Sequence, residues 1–233
     1  MQTFTFVFDM SVISVTEKQS VIQLLEAFDL SHLTGKTYED TFKSLSNEFL
    51  LSSGASKLAI IPRSKDYVIK IPFIGCDYAY NEKEMFSNFY CPISQSSDYC
   101  KADIMIYNEA KEAGMETFFA EIEQIGEVQG VPIYIQQKAQ IFEDCVPYED
   151  QLDALDNEND EVMTSIKSEY PKLMEEEFLP PLWVKDFILN YGTSTFDELV
   201  DFLQEHAVDD LHSENVGYIA NMPVLVDYSG FDG

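Results

Sequence analysis

Basic residues are scarce in this sequence: 14 Lys and Arg stand against 42 Asp and Glu in 233 residues, with three His, for a formal net charge of −28. Affinity for a nucleic-acid backbone comes from Lys and Arg neutralising phosphates, so direct nucleic-acid binding is excluded as a general activity. No run of 18 apolar residues occurs, so no membrane-spanning helix and no membrane partner are expected. The start of the chain lacks a basic region and meets Asp9 early, so no secretory signal is expected either. The four cysteines (Cys76, Cys91, Cys100 and Cys145) form no CxxC and no cluster with histidine. They read as free thiols of a reducing compartment, and a cytoplasmic protein is the expectation. What the chain does have is apolar content, 45% against 24% charged residues. That suffices for a buried core and excludes wholesale disorder. The length suits one large domain or two small lobes.

The acid is unevenly placed. Residues 143–161 hold nine carboxylates and no Lys or Arg. Such a run reads as a solvated loop or, alternatively, as a docking surface for a basic protein partner.

Along the chain, Phe4, Phe6 and Phe8 fall on one face and Thr3, Thr5 and Val7 on the other, as in a strand. Thr16 and Gln19 read as a capping box ahead of Val21, Ile22, Leu24, Leu25 and Phe28 at helical spacing. A second helix is expected from Thr37, with Phe42, Leu45 and Phe49 on one face. Between them, Leu33-Thr-Gly-Lys-Thr37 has the tail of a phosphate-binding loop, but Leu30 stands where its first glycine belongs, and the match is empty without it. From residue 49 the texture changes to short apolar runs (49–51, 57–61 and 66–72) separated by turn residues, which predict three antiparallel strands. A helix is predicted over 98–113, closed by Gly114, and a hairpin over 122–127 and 131–137 around Gln129-Gly130. Helical patterns follow at 161–177 and 182–190. Another starts at a capping box of Thr195 and Glu198, with Phe196, Leu199, Val200, Leu203 and Ala207 as its stripe. Two short strands, 216–219 and 224–226, end the pattern. The fold class is therefore α+β: five strands with one inserted helix, then a mainly helical half. The divisions fall at 1–48, 49–139 and 140–233.

Two groups of residues point to chemistry. Asn215 lies six residues before Asn221 and Asp227 six after it, so a hairpin centred there sets an amide oxygen beside a carboxylate. That is a hard-oxygen pair suited to Mg²⁺. Asp210 is a third oxygen donor, five residues upstream in the preceding loop. Separately, Asp103 shares the apolar stripe of Ile106, Tyr107 and Ala110. An acid on a core-facing stripe wants a cation, and Lys70, inside the apolar strand 67–71, is the matching candidate. His212 is expected as a ring packed beneath its loop; His32 and His206 carry no signal.

In their order and spacing these residues resemble the protein-kinase-like phosphotransferase superfamily over about residues 49–231. Val68-Ile-Lys70 looks like the strand with the phosphate-gripping lysine, and Asp103 occupies the place of the acid that holds it. Asp210-Leu-His-Ser-Glu-Asn215 looks like the catalytic loop, in a form closer to small-molecule kinases such as choline and aminoglycoside kinases. Asp227-Tyr-Ser-Gly230 looks like the metal-binding turn. The resemblance implies a two-lobed kinase-like fold with a five-stranded antiparallel sheet plus one helix, a reduced mainly helical second lobe, and ATP and Mg²⁺ as cofactors. It implies Lys70 on the phosphates, Asp210 as base toward an acceptor of unknown identity (small molecule or protein), and Asn215 and Asp227 on Mg²⁺. Ser53, Gly54 and Ala55 would cover the phosphates, and the backbone of Gln137 and Ala139 would meet the adenine. The phosphate-covering turn has one glycine where the family has two or three, Val208 and Asp209 replace the usual pair before the catalytic Asp, and Asp103 is shorter than the usual Glu. Six residues follow Asp227; if the protein ends there, the resemblance implies a compact form without a peptide-gripping platform. Compact sequences of this kind occur among bacterial and bacteriophage proteins. Two other functions stay open: a pseudokinase-type interaction protein without turnover, and an acidic decoy that mimics nucleic acid.

Overall fold

The structure, a computed structural model, describes residues 13–35, 37–45, 47–54, 56–73, 99–147, 160–171, 179–208 and 210–229. The strand expected over 3–8, Ala55, Cys76, Cys91, most of the acidic stretch (148–159), helical positions 172–177, Asp209 and Gly230 lie outside them. The fold is α+β, and the chain divides into two compact units at residues 104/105, 120/121 and 138/139.

The first unit is built on a five-stranded antiparallel sheet. Helix α1 (Val15–Leu25) precedes a short helix α2 (Tyr38–Thr41) and a 3₁₀ turn (Lys43–Leu45). Strands β1 (Phe49–Ser53), β2 (Lys57–Pro62) and β3 (Tyr67–Pro72) follow. After helix α3 (Tyr99–Glu112), of which residues 99–104 belong to this unit, come β4 (Ile122–Val128) and β5 (Val131–Gln137). The sheet order is β1-β2-β3-β5-β4, which makes β3 the middle strand. Gln129 and Gly130 both have positive φ (55° and 79°), as a two-residue hairpin turn between β4 and β5 requires. Alternation divides the sheet into two faces. Leu58, Ile60, Ile69, Ile71, Val131, Ile133 and Ile135 share one core with Val21 and Leu25 of α1 and with Leu30, Leu33 and Phe42. Ion pairs Lys18–Glu123 (2.6 Å) and Lys65–Glu17 (2.7 Å) flank that packing. Gln129 adds a clamp: its side chain accepts from Leu30 N–H and donates to Phe28 O, each at 2.9 Å.

Two local expectations are corrected here. The cap of α1 is Ser14, whose Oγ accepts from Glu17 N–H at 3.2 Å, and Thr16 lies inside the helix. The segment after Thr37 makes one helical turn and a 3₁₀ turn, and Phe49 belongs to β1. Separately, Thr34 and Thr37 are bonded to each other, each hydroxyl accepting the other's backbone N–H (2.9 and 3.3 Å).

The second unit pairs a helical layer with a three-stranded sheet. Strand β6 (Gln140–Ile141) leads into α4 (Phe142–Cys145), then come α5 (Glu161–Glu169), α6 (Pro181–Tyr191), α7 (Thr193–Glu205), β7 (Val216–Ile219) and β8 (Met222–Leu225). The sheet order is β6-β7-β8. Asp160 caps α5 through Met163 N–H (3.1 Å) and pairs with Lys185 of α6. Fully buried Trp183, Phe187, Phe196, Leu199 and Leu203 form the helical core, with Trp183 and Phe196 each ring-packed on Phe187. Helix α7 starts at Thr193 behind Gly192, at φ 89°, so Thr195 is an interior residue and not the cap expected of it.

Candidate functional site

In the first unit the chemistry lies on the sheet face opposite the core. Lys70 stands across from Ala59 on β2 and from Tyr134 on β5. Lys57, Lys70, Tyr134 and Gln136 occupy this face, and all four are buried. Asp103 is on the buried stripe of α3 with Cys100, Ile106, Tyr107 and Ala110, and has no exposure at all. Its Oδ2 lies 3.9 Å from Lys70 Nζ, so the expected partnership is present in this geometry. A second lysine is closer: Lys57 Nζ is 3.4 Å from the same oxygen. In the sequence Lys57 stands out only as the start of an apolar strand. Register places it: Lys57 faces Pro72 and lies two residues along β2 from Ala59, on the diagonal to Lys70.

The turn between β1 and β2 carries Ser53 and Gly54. Gly54 N–H donates to Lys57 O at 3.1 Å. Gly54 has an ordinary φ and open space where a Cβ would stand, so nothing at this position demands glycine. Gln137 ends β5 with its N–H donated to Glu121 O (2.8 Å), and Lys138 N–H donates to Asp66 O (3.0 Å). Ala139 begins the second unit's next segment.

In the second unit the hairpin β7–β8 turns on Ala220 and Asn221, both at positive φ (51° and 65°). Val216 pairs with Leu225, so the continued register sets Asn215 against Val226, one residue off the expected partner Asp227. The offset is absorbed locally. Asn215 O accepts from both Val226 N–H (2.8 Å) and Asp227 N–H (3.2 Å), two residues facing one as in a bulge, which keeps Asp227 beside Asn215. The next residue is an anchor: Tyr228 is fully buried, donates from its hydroxyl to Ala120 O (2.9 Å) and stacks edge-on against Phe119. Asn215 Nδ2 donates to Asp210 O at 2.7 Å, closing the 210–215 loop. His212 is not packed beneath the loop. Its half-exposed ring lies among polar groups, with Nε2 3.2 Å from Asn215 Nδ2 and 3.6 Å from Asp210 Oδ1.

This hairpin is held from below. Trp183 Nε1 donates to Gly217 O (3.1 Å), and Tyr218 donates to Asp186 Oδ2 (2.6 Å). Burial first, and that bond second, push the Tyr218 phenol well above its ordinary range, so it stays a neutral donor. A Cβ at Gly217 would come within 2.4 Å of Gln140 O and 3.1 Å of Gln140 C. Gly217→Ala is therefore expected to force β6 and β7 apart at a cost of roughly 1–3 kcal/mol. Chemical denaturation measures it, and an unchanged midpoint would remove the close contact from the account. Cys145 offers no nucleophile: burial and then Asp144 raise its thiol, and Sγ donates to Ile141 O (2.9 Å).

Among the described residues, no group of three or more His, Cys, Asp or Glu is arranged to hold a metal. Asn215 and Asp227 supply two hard-oxygen groups, and Nδ2 of Asn215 is turned to Asp210 O, so Oδ1 is the atom its side chain offers to a cation. This donor set fits Mg²⁺, which keeps several waters and takes few protein ligands. No family model matches this sequence, and no curated protein matches it at significant similarity.

Proposed function

We propose that this chain is an ATP- and Mg²⁺-dependent phosphotransferase of the protein-kinase-like type, with the two-lobed fold of that superfamily. The observation that carries the reading is Asp103: a carboxylate without exposure, held against Lys70 on the middle strand of a five-stranded antiparallel sheet. Burying a carboxylate and an ammonium group is expensive, and the arrangement makes sense where it fixes the ammonium for a ligand. Lys70 holds the α- and β-phosphates, steadied by Asp103. Asn215 and Asp227 hold Mg²⁺, which when bound neutralises charge on the phosphates. Asp210 takes the proton of the acceptor hydroxyl as its oxygen attacks the γ-phosphorus, and ADP leaves. Ser53, Gly54 and Ala55 cover the phosphates, and Gln137 and Ala139 flank the adenine, with Gln137 contributing other than through its engaged N–H.

Thermal unfolding with ATP, with and without Mg²⁺, tests this for the wild type and Asp227→Asn. Ligand at 100 times its dissociation constant stabilises by about 2.7 kcal/mol, roughly 5–10 °C for a chain of this size. The expected result is a Mg²⁺-dependent rise in the wild type that Asp227→Asn loses. No rise in the wild type would overturn the reading.

Specific observations favour a second reading, a pseudokinase-type interaction protein. Nothing at Gly54 demands glycine, and the Gln137 N–H is already engaged. ATP bound without transfer to any acceptor, or no ATP binding together with capture of a basic protein partner, would be its signature.

A further inference from the structure

The chemistry above gives His212 no part, although its ring stands beside both the base Asp210 and the metal-side Asn215. We propose that His212 is a positioning residue for Asp210: its Nε2–H engages one oxygen of that carboxylate and leaves the other to take the proton of the attacking group. The proposal rests on the phosphotransfer reading and adds to it a residue to which the resemblance gives no role.

The bonds around the ring decide which nitrogen carries the hydrogen. A neutral imidazole has one donor and one acceptor nitrogen, and the bond made by one sets the state of the other. Glu214 N–H donates to His212 Nδ1 at 3.3 Å, so Nδ1 is the acceptor and Nε2 bears the hydrogen. Two groups face Nε2. Asn215 Nδ2, at 3.2 Å, is itself a donor engaged with Asp210 O, so it offers Nε2–H nothing to bond. Asp210 Oδ1, at 3.6 Å, does. The opposite tautomer would point Nδ1–H at the Glu214 N–H, with Glu214 Oε2 3.9 Å away as its acceptor. Of the two donors beside the ring, the Asn215 amide has a broad side-chain torsion and can swing aside. The backbone N–H cannot.

The loop holds the pair in place. Asn215 N–H donates to His212 O at 2.9 Å, and Asn215 Nδ2 donates to Asp210 O at 2.7 Å, so one residue anchors the backbone of both. At 3.6 Å the contact between Nε2 and Oδ1 is longer than a formed hydrogen bond. Catalytic hydrogen bonds in ligand-free sites are often long and tighten when the ligand arrives. The His212 side chain is 46% exposed, so its ring is no part of the core.

Two measurements on the full chain test this. The first is the imidazole ¹⁵N spectrum of the ligand-free protein at about pH 8, where a histidine is neutral, with His212→Gln identifying the signal. The Nε2–H tautomer is expected, and the Nδ1–H tautomer overturns the proposal. The second is hydrolysis of Mg²⁺-ATP, in which a water oxygen bonds the γ-phosphorus, its proton passes to Asp210 and ADP leaves. His212→Ala is expected to lower kcat by about 10–100-fold, with KM for ATP and the unfolding temperature preserved. His212→Gln, whose amide N–H reaches where Nε2–H stood, is expected to restore most of the loss. An alanine variant with wild-type kcat overturns the positioning role and leaves the nucleotide reading standing. A loss that glutamine does not restore, or one that comes with a lower unfolding temperature, overturns it as well. A wild type that binds Mg²⁺-ATP without turnover overturns the role of His212 and favours the pseudokinase-type reading. A wild type that does not bind Mg²⁺-ATP overturns both proposals.

Discussion

Asp103→Asn is expected to lower folding stability by about 3–5 kcal/mol, the range found when one partner of a buried charge pair is removed. Asparagine keeps the volume of aspartate, so the loss is electrostatic and not a matter of packing. The substitution leaves two largely buried ammonium groups, Lys57 and Lys70, facing an amide where a carboxylate stood at 3.4 and 3.9 Å. Replacing both lysines by methionine in the same background should recover most of the loss, because an ion cluster exchanged for apolar residues of similar volume is close to neutral. Urea denaturation of wild type, Asp103→Asn, the Lys57→Met/Lys70→Met variant and the triple variant gives the cycle. A single variant within about 1 kcal/mol of wild type, the ordinary value of a solvated ion pair, would mean that the trio is hydrated, and the reasoning from buried charge would fall.

Trp183→Ala is expected to cost about 3–5 kcal/mol, as large aromatic truncations in cores do. The ring is fully buried and packs on Phe187, and its indole N–H is bonded to Gly217 O. The alanine variant therefore opens a cavity and also leaves the Gly217 carbonyl without its indole donor. Trp183→Phe separates the two contributions, keeping much of the ring and losing the hydrogen bond, for about 1–3 kcal/mol. Trp183 is the chain's one tryptophan, so wild-type fluorescence reports on the second unit, while the variants must be followed by circular dichroism. A Trp183→Ala variant as stable as wild type would show that the helical layer does not support the β7–β8 hairpin.

Much of the first unit was legible because its strands alternate cleanly and its hairpin turn at 129–130 carries a glycine. The Asp103 stripe was legible too, since helical spacing alone places it among Ile106, Tyr107 and Ala110. Other features depended on choices that local pattern does not make. Ser14 and Thr16 both open a capping box, with Glu17 and Gln19, and the backbone ahead of the helix selected the first. Lys57 needed the register of β2 against β3 before its nearness to Lys70 could be seen. Strand β6 has two residues and no period to detect. The hairpin register was misjudged by one because Ala220, without help from glycine, takes a left-handed conformation and centres the turn between 220 and 221.

The strand order of the first unit has a bearing on how the chain is made. Strand β5 inserts between β3 and β4, yet it is the last of the five to be synthesised. Fifty-eight residues separate the end of β3 at Pro72 from the start of β5 at Val131. At 5–20 residues per second this takes roughly 3–12 s. Throughout that time the nascent chain holds β3 with one side open, and β4, made only at the end of the interval, must wait for β5 as its neighbour. An open apolar edge is a template for wrong pairing. Ribosome-bound chains stopped before residue 131 are thus the stage at which this protein is most exposed to aggregation and most dependent on chaperones.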